Sequence, residues 1–271
     1  GPGFVYGAPG YELQAVWREK MTNAVSAAEL LSGWLPVFSL DTIAELEPML
    51  RDRIVQTHIR AGVRVLDPRA VYIDPRVTIG RGTMLLPGTI LRGETAVGCG
   101  CTIGPNAMVR DCVIGDDTEI NASQVNESTI GSRTHVGPFA YVRPGCTIGD
   151  DIKVGDFVEV KNSSIGDGTK ISHLTYVGDS DVGRHVNFGC GTVTTNYDGV
   201  KKYRCTIGDS AFIGCNTNLV APVTVGEGSY IAAGATITKD VPADALAVAR
   251  ARQENKEGWA KRRRKLYGQE R

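Results

Sequence analysis

Arg143 and Lys161 stand eighteen residues apart, and His173 follows Lys161 by twelve. A guanidinium and an ammonium held in one place suit a phosphate dianion, the first through its planar fork and the second as a point charge. An exposed imidazole can take a proton from an amine nucleophile. Tyr176, Asn187 and Cys190 follow His173 at short intervals, and Asn196-Tyr197-Asp198-Gly199 then leads into Lys201-Lys202-Tyr203. The Asp-Gly pair marks a turn, so this stretch reads as a loop. A proton acceptor, an anion site and a loop are therefore written into some sixty residues.

The elements that position them are set by a six-residue beat. Ile73, Ile79, Leu85, Leu91, Val97, Ile103 and Val109 stand six apart, and the beat returns at Ile130 to Val160 and again at Ile207 to Ile237. Gly often follows the aliphatic residue, as in Ile79-Gly80 and Ile148-Gly149. Hexapeptide periodicity predicts an all-β solenoid, a parallel β-helix in which each unit forms one flat side of a prism. Three sides make an eighteen-residue coil, so Arg143 and Lys161 stack at one corner about 4.8 Å apart. Two such cations either share an anion or splay into water. His173 comes two residues after the inward Ile171, which places it at an outward corner with Cys190 one coil further on. Tyr176 and Asn187 face outward just before the inward Val177 and Phe188. Between Val193 and Ile207 lie fourteen residues instead of six, and insertions in solenoids gather on the functional face.

Composition excludes several other roles. Lys plus Arg equals Asp plus Glu at 30 each, which gives no global attraction to nucleic acid or membrane. With 42% apolar residues there is material for one long core, and 33 glycines supply its corners. No apolar run approaches the ~20 residues of a membrane span, and no signal-peptide pattern opens the chain. The expected location is the cytoplasm. Seven cysteines without a C-x-x-C pair read as small apolar fillers rather than a disulfide or zinc framework. His58, His135 and His185 lie at unrelated register positions, which argues against a zinc site built from converging histidines.

The ends are of different material. Pro48 in a first turn and Gly62 beyond the last predict a helix carrying Leu50, Ile54 and His58 on one face. A shorter helix is expected before it, with Asp41 or Thr42 as N-cap and Glu45 completing a capping box. Gly1-Pro2 resembles a protease scar and Met21 a native start. The expected organisation is an extension over 1–44, a helical linker over 45–70, the β-helix over 71–242, and an arm with a basic tail over 243–271. The run Lys261 to Lys265 reads either as a solvated tail or as a partner for an anionic ligand.

At the site residues the chain resembles a known family. Arg143-Pro144-Gly145, the run from Val154 to Lys161, His173 to Asp179, and Asn196-Tyr197-Asp198-Gly199 are similar to the acetyltransferase half of the bacterial bifunctional glucosamine-1-phosphate acetyltransferase/N-acetylglucosamine-1-phosphate uridyltransferase. So are Leu219 to Val223 and Gln253 to Trp259. The resemblance covers residues 45–264 and implies a left-handed β-helix, a homotrimer with sites between subunits, and acetyl transfer from acetyl-CoA to the amine of glucosamine 1-phosphate. It implies no metal. His173 then corresponds to the general base; Arg143, Lys161, Tyr176, Asn187 and Lys202 to sugar-phosphate ligands; and Cys190, Asn196, Tyr197, Cys215, Ala233 and Arg250 to positions that contact acetyl-CoA. Cys190 and Cys215 depart from the Ala and Ser that related sequences often carry there.

Nothing in residues 1–44 resembles the uridyltransferase unit, whose doubly wound sheet needs far more chain. The competing reading is a β-helix used only as the oligomerisation domain of a sugar nucleotidyltransferase. Intact His173, the paired cations and the loop weigh against it. Outward-facing residues on a convex prism have no deep pocket of their own, which agrees with walls supplied by a neighbouring subunit.

Overall fold

The computed structural model describes residues 40–268. Residues 1–39, with Gly1-Pro2 and Met21, lie outside that range, and so do the side chains of Asp41, Thr42 and Glu45, to which capping was assigned. From Arg64 onward the chain winds into a parallel β-helix of about ten coils. Its three faces are sheets of eleven, ten and nine strands, in which each strand pairs in parallel with strands of the coils before and after. The first face runs from Arg64–Val65 to Leu246–Ala247, the second from Tyr72–Ile73 to Thr236–Ile237, and the third from Thr78–Ile79 to Val223–Val225. The first and last rungs thus fall within the stretches expected as linker and arm.

The hexad residues form the core as their spacing required. Leu85, Leu91, Ile103, Val109, Val142, Val154, Val160, Ile171, Ile213 and Leu219 are all 0% exposed. Burying each such side chain is worth roughly 1.5–3 kcal/mol, and the gain accrues only between stacked neighbours, so coils stabilise one another in sequence. The residue after each inward aliphatic must be small because coils meet there. A Cβ on Gly166 would lie 2.6 Å from the Gly183 carbonyl carbon, closer than atoms can approach.

Threonine and serine four places after the beat serve the corners. Thr134 is fully buried, and its hydroxyl donates to the Gly149 carbonyl at 2.9 Å while accepting from the Ile152 N–H at 3.1 Å. Thr83 does the same for Gly98 and Cys101, at 2.8 and 3.0 Å. Backbone groups that turn away from the sheets at the corners thereby find partners inside the protein, as buried polar groups must.

Three expectations need correcting. A single helix, α1 (Leu40–Arg60), runs straight through Pro48, where two helices were predicted. Proline removes the bond its own N–H would make and crowds the carbonyl four residues back, and packing against the first coil keeps the remaining turns together. The face α1 buries centres on Val55, 1% exposed, with Ile54 and Ile59 beside it, while His58 stays half-buried and its pKa is pushed down by that burial. The inward beat before the loop falls on Thr194, 1% exposed, and Val193 points outward. Finally, the cysteines divide: Cys101, Cys112, Cys146 and Cys205 are buried fillers, whereas Cys99, Cys190 and Cys215 are exposed.

Beyond the last rung the basic run folds into α2 (Trp259–Leu266), which is exposed throughout. Arg263 lies between Trp259 and Tyr267, 5.3 Å from each ring centre. Among the described residues no helix is long and apolar enough to cross a membrane.

Candidate active site

The corner joining the first face to the second carries the first set of candidates. Asp156 and His173 are Cα partners in adjacent coils. Phe188 pairs with Ile171 and Ile213, and Ile231 with Ile213, so counting two residues onward sets His173, Cys190, Cys215 and Ala233 on successive rungs. Backbone bonds hold this register through the turn: Gly191 N–H to Leu174 O at 2.9 Å, Asn216 N–H to Cys190 O at 2.8 Å, and Gly234 N–H to Cys215 O at 2.8 Å. One column therefore runs from Asp156 through the imidazole and two thiols to Ala233. Arg250 lies at its far end, where its Cδ would be 3.8 Å from a Cβ on Gly234.

His173 is oriented by Asp156, with Nδ1 2.7 Å from Oδ1. The hydrogen bond from the imidazole holds the Asp156 carboxyl below the usual carboxylate range, so it is ionised at neutral pH and can only accept. Nδ1 therefore carries the hydrogen, and Nε2 is left with its lone pair directed away from the carboxylate. That is the tautomer a general base requires.

The corner joining the second face to the third holds the cations. Val142 pairs with Val160, which sets Arg143 beside Lys161 in adjacent coils as their spacing predicted. Neither cation is left alone. Arg143 Nη1 donates to Glu159 Oε1 at 2.9 Å, and this bond raises the guanidinium pKa further. Lys161 Nζ lies 3.8 Å from Asp179 Oδ2. The ammonium of Lys202, brought over by the loop, lowers the Lys161 pKa, and desolvation acts in the same direction.

Asp179 is the centre of this group, with its side chain 7% exposed. It accepts from Asn162 Nδ2 at 2.5 Å and from Asn196 Nδ2. Burial pushes its carboxyl up, but the two amide donors and the ammoniums of Lys161 and Lys202 outweigh that and keep it below the usual range. Its backbone carbonyl also accepts from Cys205 N–H at 3.1 Å, so the loop leaves from and returns to the same residue.

The loop itself is a small hairpin. Tyr197 and Lys202 form an antiparallel bridge, and Asp198 Oδ1 accepts from the N–H groups of Val200 and Lys201, both at 2.7 Å. Arg204 clamps its base by binding both Asp181 oxygens at 2.6 and 2.9 Å, Asn162 O at 3.0 Å and Ser180 O at 3.1 Å. Where the chain departs for the loop, the Thr194 hydroxyl accepts the Gly178 N–H at 2.7 Å. This supplies a partner for a backbone donor beside the departing chain.

Tyr176 lies on the second face between the two corners. Its hydroxyl accepts from Asn196 Nδ2 at 3.3 Å, and a Cβ on Gly178 would sit 2.2 Å from that oxygen, so glycine makes room for the phenol. His173, Tyr176, Lys202, Lys161 and Arg143 thus share one strip of surface, with Asn196 buried beside Tyr176. Asn187 stands apart, on the first face between Lys170 and Phe212, on the other side of the His173 corner. Tyr197 is exposed near the loop tip and donates to Gly199 O at 2.6 Å. Asp156, Glu159, Asn162, Asp179 and Arg204 were missed by sequence reasoning. Their signal was positional: Asp156 precedes His173 by seventeen residues, one shortened coil. Among the described residues no group of three or more His, Cys, Asp or Glu is placed to hold a metal ion.

Two family models match parts of the repeat region. The model for the GMPPB C-terminal domain matches residues 68–158, and that for the bacterial transferase hexapeptide (six repeats) matches residues 204–239. The bifunctional protein GlmU of Geobacillus sp. (strain WCH70) is 52% identical over 220 residues, 81% of this chain and 48% of the relative. GlmU of Alkaliphilus metalliredigens (strain QYMF) is 46% identical over 251 residues, 93% of this chain and 55% of the relative. The chain spans about half the length of these curated relatives. Among solved structures, the Arabidopsis UDP-N-acetylglucosamine acyltransferase is 14% identical, with a TM-score of 0.44 over 65% of this chain and 69% of that one.

Proposed function

We propose, from the premise that this chain is a hexapeptide-repeat protein homologous to one half of the bifunctional GlmU proteins, that it transfers an acetyl group from acetyl-CoA to the amine of glucosamine 1-phosphate. The product, N-acetylglucosamine 1-phosphate, would feed UDP-N-acetylglucosamine and cell-wall precursor synthesis in the cytoplasm. The observation that carries this reading is the Asp156–His173 pair, at 2.7 Å, one face away from the cluster of Arg143, Lys161 and Lys202. A base for an amine and a cradle for a phosphate stand on one strip, as an amino-sugar phosphate needs.

In the proposed reaction the phosphate dianion enters among the three cations. Lys161, only loosely engaged by Asp179 at 3.8 Å, is free to turn toward it. The sugar lies across Tyr176 and Asn196 and presents its amine to His173 Nε2. The imidazole takes a proton from the amine as nitrogen attacks the thioester carbonyl, and the Asp156 carboxylate stabilises the imidazolium that forms. Collapse of the tetrahedral adduct breaks the carbon–sulfur bond, and the imidazolium returns its proton to the departing thiolate, releasing CoA. Cys190, Cys215, Ala233 and Arg250 continue the same column beyond His173 and offer a path for the extended cofactor. The arrangement needs a second wall, because the strip faces outward from a prism. Three-fold association of parallel prisms would supply it.

The test is release of free CoA with glucosamine 1-phosphate offered against unphosphorylated glucosamine. Strong preference for the phosphorylated sugar is expected; equal turnover of both would overturn the phosphate site.

A further inference from the structure

Burial pushes the Cys112 and Cys205 thiols up to about 11, and it raises Cys101 and Cys146 as well. These four are sheltered and protonated. The exposed cysteines differ in what stands beside them. Cys99 has no cysteine in the next coil; its N–H donates to Asp116 Oδ1 at 2.7 Å. Cys190 and Cys215 instead occupy the same corner of adjacent coils, two residues past the paired Phe188 and Ile213. The Asn216 N–H to Cys190 O bond, at 2.8 Å, keeps the chains in register there.

Rungs of a parallel sheet are about 4.8 Å apart, so the two thiols stand side by side on the outside of the prism. A disulfide accepts Cα atoms roughly 4.4–6.8 Å apart, so this spacing brings the two sulfurs within reach of a common partner. A single atom bonded to both sulfurs bridges adjacent rungs without drawing the chains together.

We propose that Cys190 and Cys215 form a dithiol site for a thiophile able to make two bonds to sulfur, of which a trivalent organoarsenical oxide is the chemical type. Both S–H protons leave with the arsenic-bound oxygen as water, two As–S bonds replace the two bonds to oxygen, and arsenic stays trivalent. The consequence for activity rests on the function proposed above. A bridge across these rungs covers the column between His173 and Ala233, where the acyl donor is placed, and shuts that path.

The experiment treats the full chain with phenylarsine oxide. It follows the adduct by intact mass, locates it by which cysteines escape alkylation, and assays acetyl transfer in parallel. One equivalent should bind per chain, protect Cys190 and Cys215 together, survive a monothiol and be stripped by a small dithiol. Cys190→Ser and Cys215→Ser should each lose the dithiol-specific adduct, and Cys99→Ser should keep it. An adduct that maps to Cys99, persists in Cys190→Ser, or washes off with monothiol would overturn the site. A bridged adduct with undiminished acetyl transfer would leave the dithiol standing and refute the placement of the acyl donor along this column.

Discussion

The carboxylate of Asp179 accepts a hydrogen bond from the side-chain amide of Asn196, so a nearly buried acid on the prism wall holds the first residue of the extruded loop. The same carboxylate faces Lys161, which Lys202 approaches from the loop. Loop position and charge balance in the proposed phosphate cradle therefore depend on one side chain.

Replacing Asp179 by Asn should loosen the loop and leave Lys161 facing Lys202 without its counter-charge. Breaking a hydrogen bond to a buried charged group costs on the order of 1.5–3 kcal/mol. Thermal unfolding should move to lower temperature, and the KM for glucosamine 1-phosphate should rise more than that for acetyl-CoA. Because the folded-state pKa of Asp179 is depressed, its contribution is present above the unfolded carboxylate pKa, about 3.9. It is lost as pH falls through the lower, folded value. The stability gap between wild type and variant should close only in strongly acidic buffer. A gap that closes at neutral pH would contradict this account.

His173→Ala should reduce turnover by ~10²–10⁴-fold, the usual contribution of a positioned base, without altering the oligomeric state. Asp156→Asn removes the charge that stabilises the imidazolium and permits the wrong tautomer, so it should lower kcat with little change in either KM. Near wild-type turnover for His173→Ala in a coupled CoA-release assay would remove the imidazole from the mechanism.

Lys161 has its pKa lowered by Lys202 first and by burial second, and it also faces Arg143 and Asp179. Phosphate binding favours its protonated form, so affinity should fall as pH rises through that lowered value. The KM for glucosamine 1-phosphate should therefore climb on the alkaline side below the pH at which an ordinary lysine titrates. Lys161→Arg should flatten this limb, since a guanidinium keeps its charge. An unchanged limb in that variant would assign the titration elsewhere.

The proposed trimer with shared sites predicts complementation. Chains carrying His173→Ala and chains carrying Asn196→Ala, each inactive alone, should regain partial activity when unfolded and refolded together, provided that the two residues serve a site from different subunits. Light scattering on the active fraction gives the second measurement. Full activity in a monomer would exclude the shared-site arrangement.

The core was legible because its signal is chemical. An aliphatic residue every sixth place is expected to face inward, and Leu85, Ile103, Val142, Val160, Ile213 and Ile237 obey it. The same rule misled at Val193, where the inward position belongs to Thr194. There the residue beside the departing loop must accept the Gly178 N–H, which valine cannot do. Of the site, the rarer residue types stood out: one histidine after an inward isoleucine, two cations a coil apart. Their carboxylate partners did not. Asp156, Glu159 and Asp179 are three among 30 acidic residues, and only the pairing of coils separates them from acids at ordinary corners. Pro48 was taken for a helix start because its local preference is strong, whereas packing of α1 against the first coil decided the matter.

Because every rung repeats the one before at about 4.8 Å, distances along this site come only in whole steps. Asp156, His173, Cys190, Cys215 and Ala233 occupy five consecutive steps, and chain inserted between them need not disturb the count. Thr194 and Leu219 are still direct partners although they stand 25 residues apart in sequence, the surplus having been expelled as the loop. Length on such a scaffold can be gained or lost in complete coils near the α1 end without moving His173 relative to Cys190, Cys215 and Ala233. An incomplete coil would instead rotate every later side chain onto the wrong face. The fold thus works as a graduated scale, on which chemistry is set by counting rather than by contour.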